Sequence, residues 1–139
     1  MKESRKQAKP EERKSMEKNI DKVNLAEKFG QFSDHWNPRI VGELNGQQVK
    51  IAKFLGPFEW HHHEHEDEFF LVIKGEFEMH LRDKVVTLKP GECMVVPRGV
   101  EHRPVASQEA EVLMFEPAST VNTGNLQGSE RTRKDLERL

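Results

Sequence analysis

The sequence predicts a small all-β fold, a barrel or a sandwich, preceded by one short helix. Between residues 40 and 116, short apolar segments recur about every eight to twelve residues, with Gly, Pro, Asn or Asp between them. Asn45-Gly46 lies between two of these segments and is the strongest hairpin-turn signal in the chain. The length of 139 residues suits one domain with one buried core.

Each strand is predicted from its own pattern. Residues 69–73 form an uninterrupted apolar run, which is typical of a short strand covered on both faces. Residues 77–81 alternate apolar and polar side chains, which indicates a strand with one wetter face. Shorter apolar runs between turn signals predict three more strands, at 85–88, 94–96 and 112–115.

Two segments flank the predicted barrel. Residues 1–22 are mostly charged and bury too little to offset their ordering entropy, so we expect a flexible extension. Asn24 followed by Glu27 predicts the capped start of a short helix, which opens the barrel domain at 23–117. Residues 118–139 are expected to form a surface arm, for which a partner subunit is one candidate contact.

Composition excludes several classes of protein. The net charge of −2 argues against a nucleic-acid binder, and no apolar run approaches the roughly 18 residues of a membrane span. The first residues lack the apolar segment of a secretory signal, and Cys93 is the single cysteine. We therefore expect a cytoplasmic protein without nucleic-acid or membrane partners. The apolar neighbours of Cys93 predict a buried core thiol.

Histidines are concentrated at one point of the chain. Four of the seven fall within five positions, at His61, His62, His63 and His65. In an extended chain, residues two apart share a face, so His61 and His63 point the same way and His62 points away. His61 and His63 are therefore the candidate pair of metal-binding imidazoles.

A carboxylate and a third histidine complete a candidate metal site. Glu68 opens the next apolar strand, and a hairpin returns it beside His61 and His63. Two imidazoles and a carboxylate are a common ligand set for a first-row metal. His102, just after a Pro-x-Gly turn, is the candidate fourth ligand from a neighbouring strand.

These residues carry a family resemblance. Residues 56–75 resemble the first cupin motif: its core, His-x-His-x4-Glu-x6-Gly, is matched in full, although the first glycine stands one residue closer than usual. Residues 91–102 resemble the second motif, Gly-x5-Pro-x-Gly-x2-His, with Ala106 where the family usually has Asn. The fifteen residues between the two motifs match small bacterial single-domain cupins. The resemblance implies a double-stranded β-helix, or jelly-roll-like, barrel and four metal ligands, His61, His63, Glu68 and His102.

The resemblance also implies function classes. The ligand set suits one divalent transition metal (Mn, Fe, Ni, Co, Cu or Zn), and an octahedral ion would keep two positions open for a small molecule. Small cupins include dioxygenases, sugar-phosphate isomerases and epimerases, and oxalate-type decarboxylases. We expect a metalloenzyme of the dioxygenase or sugar/sugar-phosphate isomerase class. An isomerase needs a general base, and the sequence offers only Glu64, His65 or Glu66. No catalytic residue is assigned.

Alternative interpretations stay open. A non-catalytic barrel that binds a metal or a small ligand fits the same motifs, as does a structural barrel that dimerises through edge strands and terminal arms. We expect a homodimer in either case. A further alternative is that the four residues are the structural remnant of a site that no longer binds a metal. The substrate pocket is expected to be apolar and to include Phe70, Val72, Met79 and Met94.

Several residues near the motifs have a simpler structural explanation. His62 is expected to be solvated or to neighbour the ligands, and His65 and His80 are expected at the surface. Trp60 is expected to pack beside the first ligand. Arg98 is expected to be a surface charge on its turn, with an anion clamp for substrate as the alternative.

Overall fold

The computed structural model describes residues 20–126 and 128–139 of the chain. One short helix, α1 (Leu25–Phe29), precedes seven strands in this part of the molecule. The strands are β1 (Arg39–Leu44), β2 (Gln47–Pro57), β3 (Glu68–Lys74), β4 (Phe77–Leu81), β5 (Val85–Leu88), β6 (Cys93–Val96) and β7 (His102–Pro117).

The long strand β7 organises the barrel. β2 pairs with it from Gln47 to Pro57, β3 pairs with residues 111–115, and β4 pairs with residues 102–105. All pairings between strands are antiparallel, in the order β1-β2-β7-β3-β6, with β5 joined through β4. Because its two halves pair with different strands, β7 belongs to both sides of the barrel and encloses one interior.

The interior is filled by apolar and aromatic side chains. Trp36 stacks on Phe54 with a ring-centroid distance of 4.5 Å, and Phe77 meets the Phe54 ring edge-on at 5.2 Å. These three residues belong to one buried cluster that also includes Met79 and Val112. Burying each such side chain contributes about 1.5–3 kcal/mol, so this cluster is the main source of stability.

The predicted all-β fold with one short helix is confirmed. The Asn45-Gly46 hairpin forms as expected: both residues have positive φ, 51° and 75°, and Leu44 pairs directly with Gln47. The predicted helix cap also forms, since the Glu27 N–H donates to the Asn24 side chain at 3.1 Å. α1 then packs through Phe29 on the outer face of the sheet.

Cys93 is exposed, so the prediction of a buried core thiol was wrong. β6 has side chains with apolar character on both faces, and only one face can point inward. Val96 is buried and Met94 is partly buried, which places Cys93 and Val95 on the outer face. The apolar run was correctly predicted as a strand, but its composition does not reveal which face is inside.

Strand ends differ from the sequence expectation. The predicted strand at 112–115 is the second half of β7, which begins ten residues earlier, at His102. β2 ends at Pro57, and the loop that follows, residues 58–67, contains only one isolated bridge, at His61. We call residues 58–67 the metal loop.

The described residues of the C-terminal arm, 118–126 and 128–139, pack on their own chain. Backbone hydrogen bonds join Ile40 to Glu137 and to Leu139, at 2.9 and 3.0 Å, beside β1. The charged extension predicted at 1–22 lies outside the described residues except for 20–22. Within the described ranges, no helix has the length and apolarity needed to cross a membrane.

Candidate metal centre

His61 and His102 are brought together by the backbone. His61 N donates to His102 O at 3.1 Å, and His102 N donates to His61 O at 2.9 Å. This two-way pairing attaches the metal loop to the start of β7 and holds the two imidazole rings 4.3 Å apart, centroid to centroid. His61 and His63 do converge as the sequence predicts, but the bridge to β7 positions them, since the metal loop is not a regular strand.

His63 and Glu68 complete the cluster from the other side. Gly99, in the Pro-x-Gly turn, donates its N–H to the His63 carbonyl at 2.7 Å. Glu68 is the first residue of β3, where it pairs with Val96 of β6. One ligand atom from each of His61, His63, Glu68 and His102 lies within 4.8 Å of the other three, and all four residues are buried.

Backbone carbonyls orient two of the imidazoles. His61 Nδ1 lies 2.8 Å from the Glu59 carbonyl, and His102 Nδ1 lies 2.8 Å from the Val100 carbonyl. A carbonyl only accepts, so each Nδ1 carries a proton, and in the neutral imidazole each Nε2 then presents a lone pair to the cluster. Metal-binding histidines are held in the correct tautomer by this kind of contact.

His63 provides the test of whether the cluster fits a metal. Its side chain is 2% exposed, and neither ring nitrogen has a hydrogen-bond partner within the described ranges. Its Nε2 lies 2.9 Å from Glu68 Oε1, but the oxygen does not lie in a hydrogen-bonding direction. Buried polar atoms without partners are rare because they cost about 1–3 kcal/mol each. A metal ion at the centre of the cluster would satisfy the His63 nitrogen, so the residues fit such an ion.

Electrostatics favour the protonation states that ligate metals. Burial lowers the pKa of His61 to about 4, with a further contribution from neighbouring His102, so the imidazole is neutral near pH 7. Burial opposes ionisation of Glu68, but the adjacent imidazoles of His102 and His63 outweigh it and hold the pKa of this carboxyl well below its usual range. Neutral imidazoles and an ionised carboxylate are the forms that bind metals.

A second buried carboxyl faces the cluster, and the sequence reasoning missed it. Glu116 lies on β7, is 3% exposed and receives a 2.8 Å hydrogen bond from the ammonium group of Lys50, which is 2% exposed. Burial, followed by the nearby charge of Glu68, raises the pKa of Glu116 well above its usual range. Strand alternation was the available signal, since Glu116 is in phase with inward-facing Val112 and Met114.

The cluster opens on a small cavity. Its volume is about 40 Å³, which is room for on the order of three water molecules. Glu116 and Asn122 contribute polar atoms to its wall beside the histidines. The remainder of the wall is mainly apolar and is formed by Trp36, Pro38, Ala52, Phe54, Phe58, Phe70, Pro104 and Met114.

The predicted pocket residues divide into two groups. Phe70 lines the cavity as expected. Val72 and Met79 are buried in the main core but do not line the cavity, and Met94 packs against that core. The aromatic wall from Trp36, Phe54 and Phe58 was missed because these residues lie before the motifs and reach the cavity only through the fold.

Other residues near the motifs lie outside the cluster. His62 is partly exposed and lies 3.9 Å from Glu64, and His65 is exposed. His80 contacts Glu78 at the surface. Arg98 forms an exposed ion pair with Asp67, as expected for a surface charge on this turn.

Trp60 lies beneath a basic side chain. The guanidinium carbon of Arg82 is 3.9 Å from the centroid of the Trp60 ring, and Arg103 is 5.4 Å away. Such cation–π contacts stabilise a surface by about 0.5–1 kcal/mol where the groups are exposed. Trp60 therefore has the packing role that the sequence predicts, and it packs against these two arginine side chains.

Comparison with known proteins agrees with the fold and the motifs. The model of the cupin domain family matches residues 55–116. A cupin-2 domain protein from Shewanella frigidimarina, of known crystal structure, is 42% identical, and the match covers 68% of this chain and 93% of that one with a TM-score of 0.68. Protein NMB1881 from Neisseria meningitidis is 28% identical, with 70% and 99% coverage and a TM-score of 0.65.

An uncharacterized protein from Bacillus subtilis is also similar. It is 36% identical over 80 residues, which are 57% of this chain and 65% of that protein. The chain thus spans just under two thirds of this curated relative. Together with the buried cluster of three histidines and one glutamate, these matches show that the chain belongs to the cupin family.

Proposed function

We propose that this protein is a metal-dependent cupin that binds one divalent transition metal ion through His61, His63, Glu68 and His102. The unpartnered ring nitrogens of buried His63 are the observation that carries the proposal. The cluster has no thiolate, so Mn, Fe, Ni, Co, Cu and Zn are all compatible with it. When bound, such an ion supplies Lewis-acid chemistry and, if it is redox-active, electron transfer to a ligand in its open positions.

The cavity supports a small and largely apolar ligand. Its wall is largely aromatic and apolar, and no Lys or Arg is among the described residues that line it. Phosphate groups are usually bound by such cationic side chains. The lining therefore favours a dioxygenase-type reaction on a small apolar molecule over isomerisation of a sugar phosphate.

The candidate bases named from the sequence support the same choice. Glu64 and His65 are exposed, and Glu66 contacts Ser119 at the rim, so none of the three lines the cavity. Glu116 is the carboxyl that does line it, next to Glu68. An isomerase would therefore have to use Glu116 as its general base instead of the residues named from the sequence.

Oxygen consumption separates the enzyme from the non-catalytic binder. Protein loaded anaerobically with Fe²⁺ is mixed with oxygen and a panel of small phenols, diketones and thiols, and sugar-phosphate isomerisation is assayed in parallel. We expect oxygen uptake that depends on substrate and is lost in His61→Ala. Isomerase activity without oxygen uptake would contradict the choice of reaction. Ligand-induced thermal stabilisation without any turnover would support the binding module instead.

We also propose that the protein forms a homodimer through the outer face of the sheet. Val49, Phe115, Phe69 and Val95 lie side by side in one row across four strands. The row ends at Val95, which is 55% exposed on β6, and β6 pairs only with β3 among the strands described. An apolar row beside a free strand edge suits a second copy of the same surface.

Solution mass measurement tests the dimer. Val95→Lys is expected to convert it to a monomer in light scattering coupled to size exclusion, because the substitution places a charge in the apolar row. Val85→Lys, at an equally exposed valine on β5, is the matched control and is expected to remain dimeric. A wild-type monomer, or a dimer in both variants, would contradict the proposed interface. The exposed thiol of Cys93, on the same outer face of β6, supports a reducing, cytoplasmic setting.

A further inference from the structure

The C-terminal arm contacts the metal loop between two of its ligands. Residues 118–139 lie outside the region matched by the family model, which ends at residue 116. We propose that Asn125 and Gly124 of the arm are positioning residues, which hold His61 and His63 at the correct separation for the metal ion. The proposal rests on the proposed metal site and adds the arm to it.

Asn125 holds the peptide groups of His62 from both sides. The Asn125 N–H donates to the His62 carbonyl at 2.9 Å, and the Asn125 Oδ1 accepts from the His62 N–H at 2.8 Å. His62 itself is not a ligand, but it joins the two histidines that are. Because the loop has no regular partner strand at this point, these two bonds fix the backbone that sets both ligand directions.

Gly124 lets the arm approach this closely. It has a φ of +56°, and a Cβ built there would lie 2.1 Å from the His62 carbonyl oxygen and 3.1 Å from Cδ2 of the His61 ring. Any side chain would therefore have to push the metal loop away. Gly124 thus brings the arm close to both the His62 backbone and the His61 ring.

The arm is itself held firmly enough to act as a support. The Asn122 side chain donates to the Arg131 carbonyl at 2.7 Å and accepts from the Arg133 N–H at 2.8 Å. Thr123, which is fully buried, shares a 2.7 Å hydrogen bond with Thr132. Asn125 thus lies in a segment that several hydrogen bonds hold in place.

A further contact reaches the His61 ring indirectly. Ser129 of the arm hydrogen-bonds to the Glu59 side chain, and the Glu59 carbonyl accepts from His61 Nδ1. The groups that orient metal ligands are usually worth 10- to 100-fold in metal affinity. The arm therefore contributes to metal affinity although it supplies no ligand atom.

Metal titration of full-length variants tests the arm. Zn²⁺ affinity is measured by competition with a chelator, and Co²⁺ absorption spectra report the coordination geometry. Asn125→Ala is expected to weaken Zn²⁺ binding about tenfold or more and to alter the Co²⁺ spectrum. Asn125→Asp keeps an acceptor for the His62 N–H and is expected to restore affinity to near the wild-type value.

Two further variants complete the test. Asn37→Ala removes an exposed Asn hydrogen bond, to Asp34, far from the metal loop in sequence, and should leave Zn²⁺ affinity unchanged. Gly124→Ala displaces the same His62 carbonyl by a different route and should weaken Zn²⁺ binding, which keeps the test decisive if Asn125→Ala fails to fold. The melting temperature of each metal-free variant separates loss of affinity from loss of fold.

The outcomes distinguish the role of the arm from the proposed metal site. If wild type binds no Zn²⁺ or Co²⁺, the metal site itself fails. If wild type binds and the folded Asn125→Ala variant binds equally tightly, only the role of the arm is overturned. A lower melting temperature with unchanged Zn²⁺ affinity would likewise assign Asn125 a purely structural role.

Discussion

Replacing His63 with leucine should stabilise the metal-free protein while destroying its metal site. Both ring nitrogens of His63 are buried without hydrogen bonds to any described residue, and each such atom costs about 1–3 kcal/mol. Leucine has a similar volume, so it removes the two polar atoms without leaving a large cavity. The substitution breaks no aligned hydrogen bond, but it removes the 2.9 Å contact between Nε2 and Glu68 Oε1, which offsets part of the gain. We therefore expect the free energy of unfolding to rise by about 1 kcal/mol, at the lower end of that range.

Urea unfolding in excess EDTA measures this change. His102→Leu is the matched control, because it removes the aligned hydrogen bond to the Val100 carbonyl and the 3.1 Å interaction with Glu68. We expect that variant to be destabilised by about 1–3 kcal/mol. With metal at 100 times its Kd, wild type should be stabilised by about 2.7 kcal/mol and neither variant should match it. If His63→Leu destabilised the metal-free protein as much as His102→Leu does, His63 would be a packing residue and our reasoning would be refuted.

Two further predictions concern the stability of the barrel. Lys50→Met should lower the free energy of unfolding by about 1–3 kcal/mol in urea titrations, because it removes the 2.8 Å hydrogen bond to the buried carboxyl of Glu116. Arg82→Met, which breaks an exposed ion pair with Glu101 and the exposed contact with Trp60, should cost less than Lys50→Met, and equal losses would contradict the difference in burial. Asn24→Ala should cost about 1 kcal/mol by removing the helix cap, whereas Asn24→Ser should retain most of that stability.

The fold and the ligand cluster were predictable because their signals are local. Short strands with turn residues between them define the barrel, and the two motifs carry all four members of the cluster. The hairpin at Asn45-Gly46 is an example: the two residues need only their own positive φ angles to direct the turn. Such features depend on residues close together in sequence.

The missed features depend on contacts between distant residues. Lys50 and Glu116 are 66 positions apart, and the register of β2 against β7 brings them together. Asn125 and His62 are 63 positions apart, and no periodicity in the arm points to their contact. Cys93 shows a different limit, since alternation within β6 does not say which face is inside when both faces are apolar.

Metal analysis of the native protein tests the central claim most directly. The full-length chain is purified without a histidine tag and analysed by inductively coupled plasma mass spectrometry, beside His61→Ala. We expect about one equivalent of a first-row transition metal per wild-type chain and little in the variant. Less than about a tenth of an equivalent in wild type, with no thermal stabilisation by added Mn²⁺, Fe²⁺, Ni²⁺ or Zn²⁺, would contradict a metal site at His61, His63, Glu68 and His102.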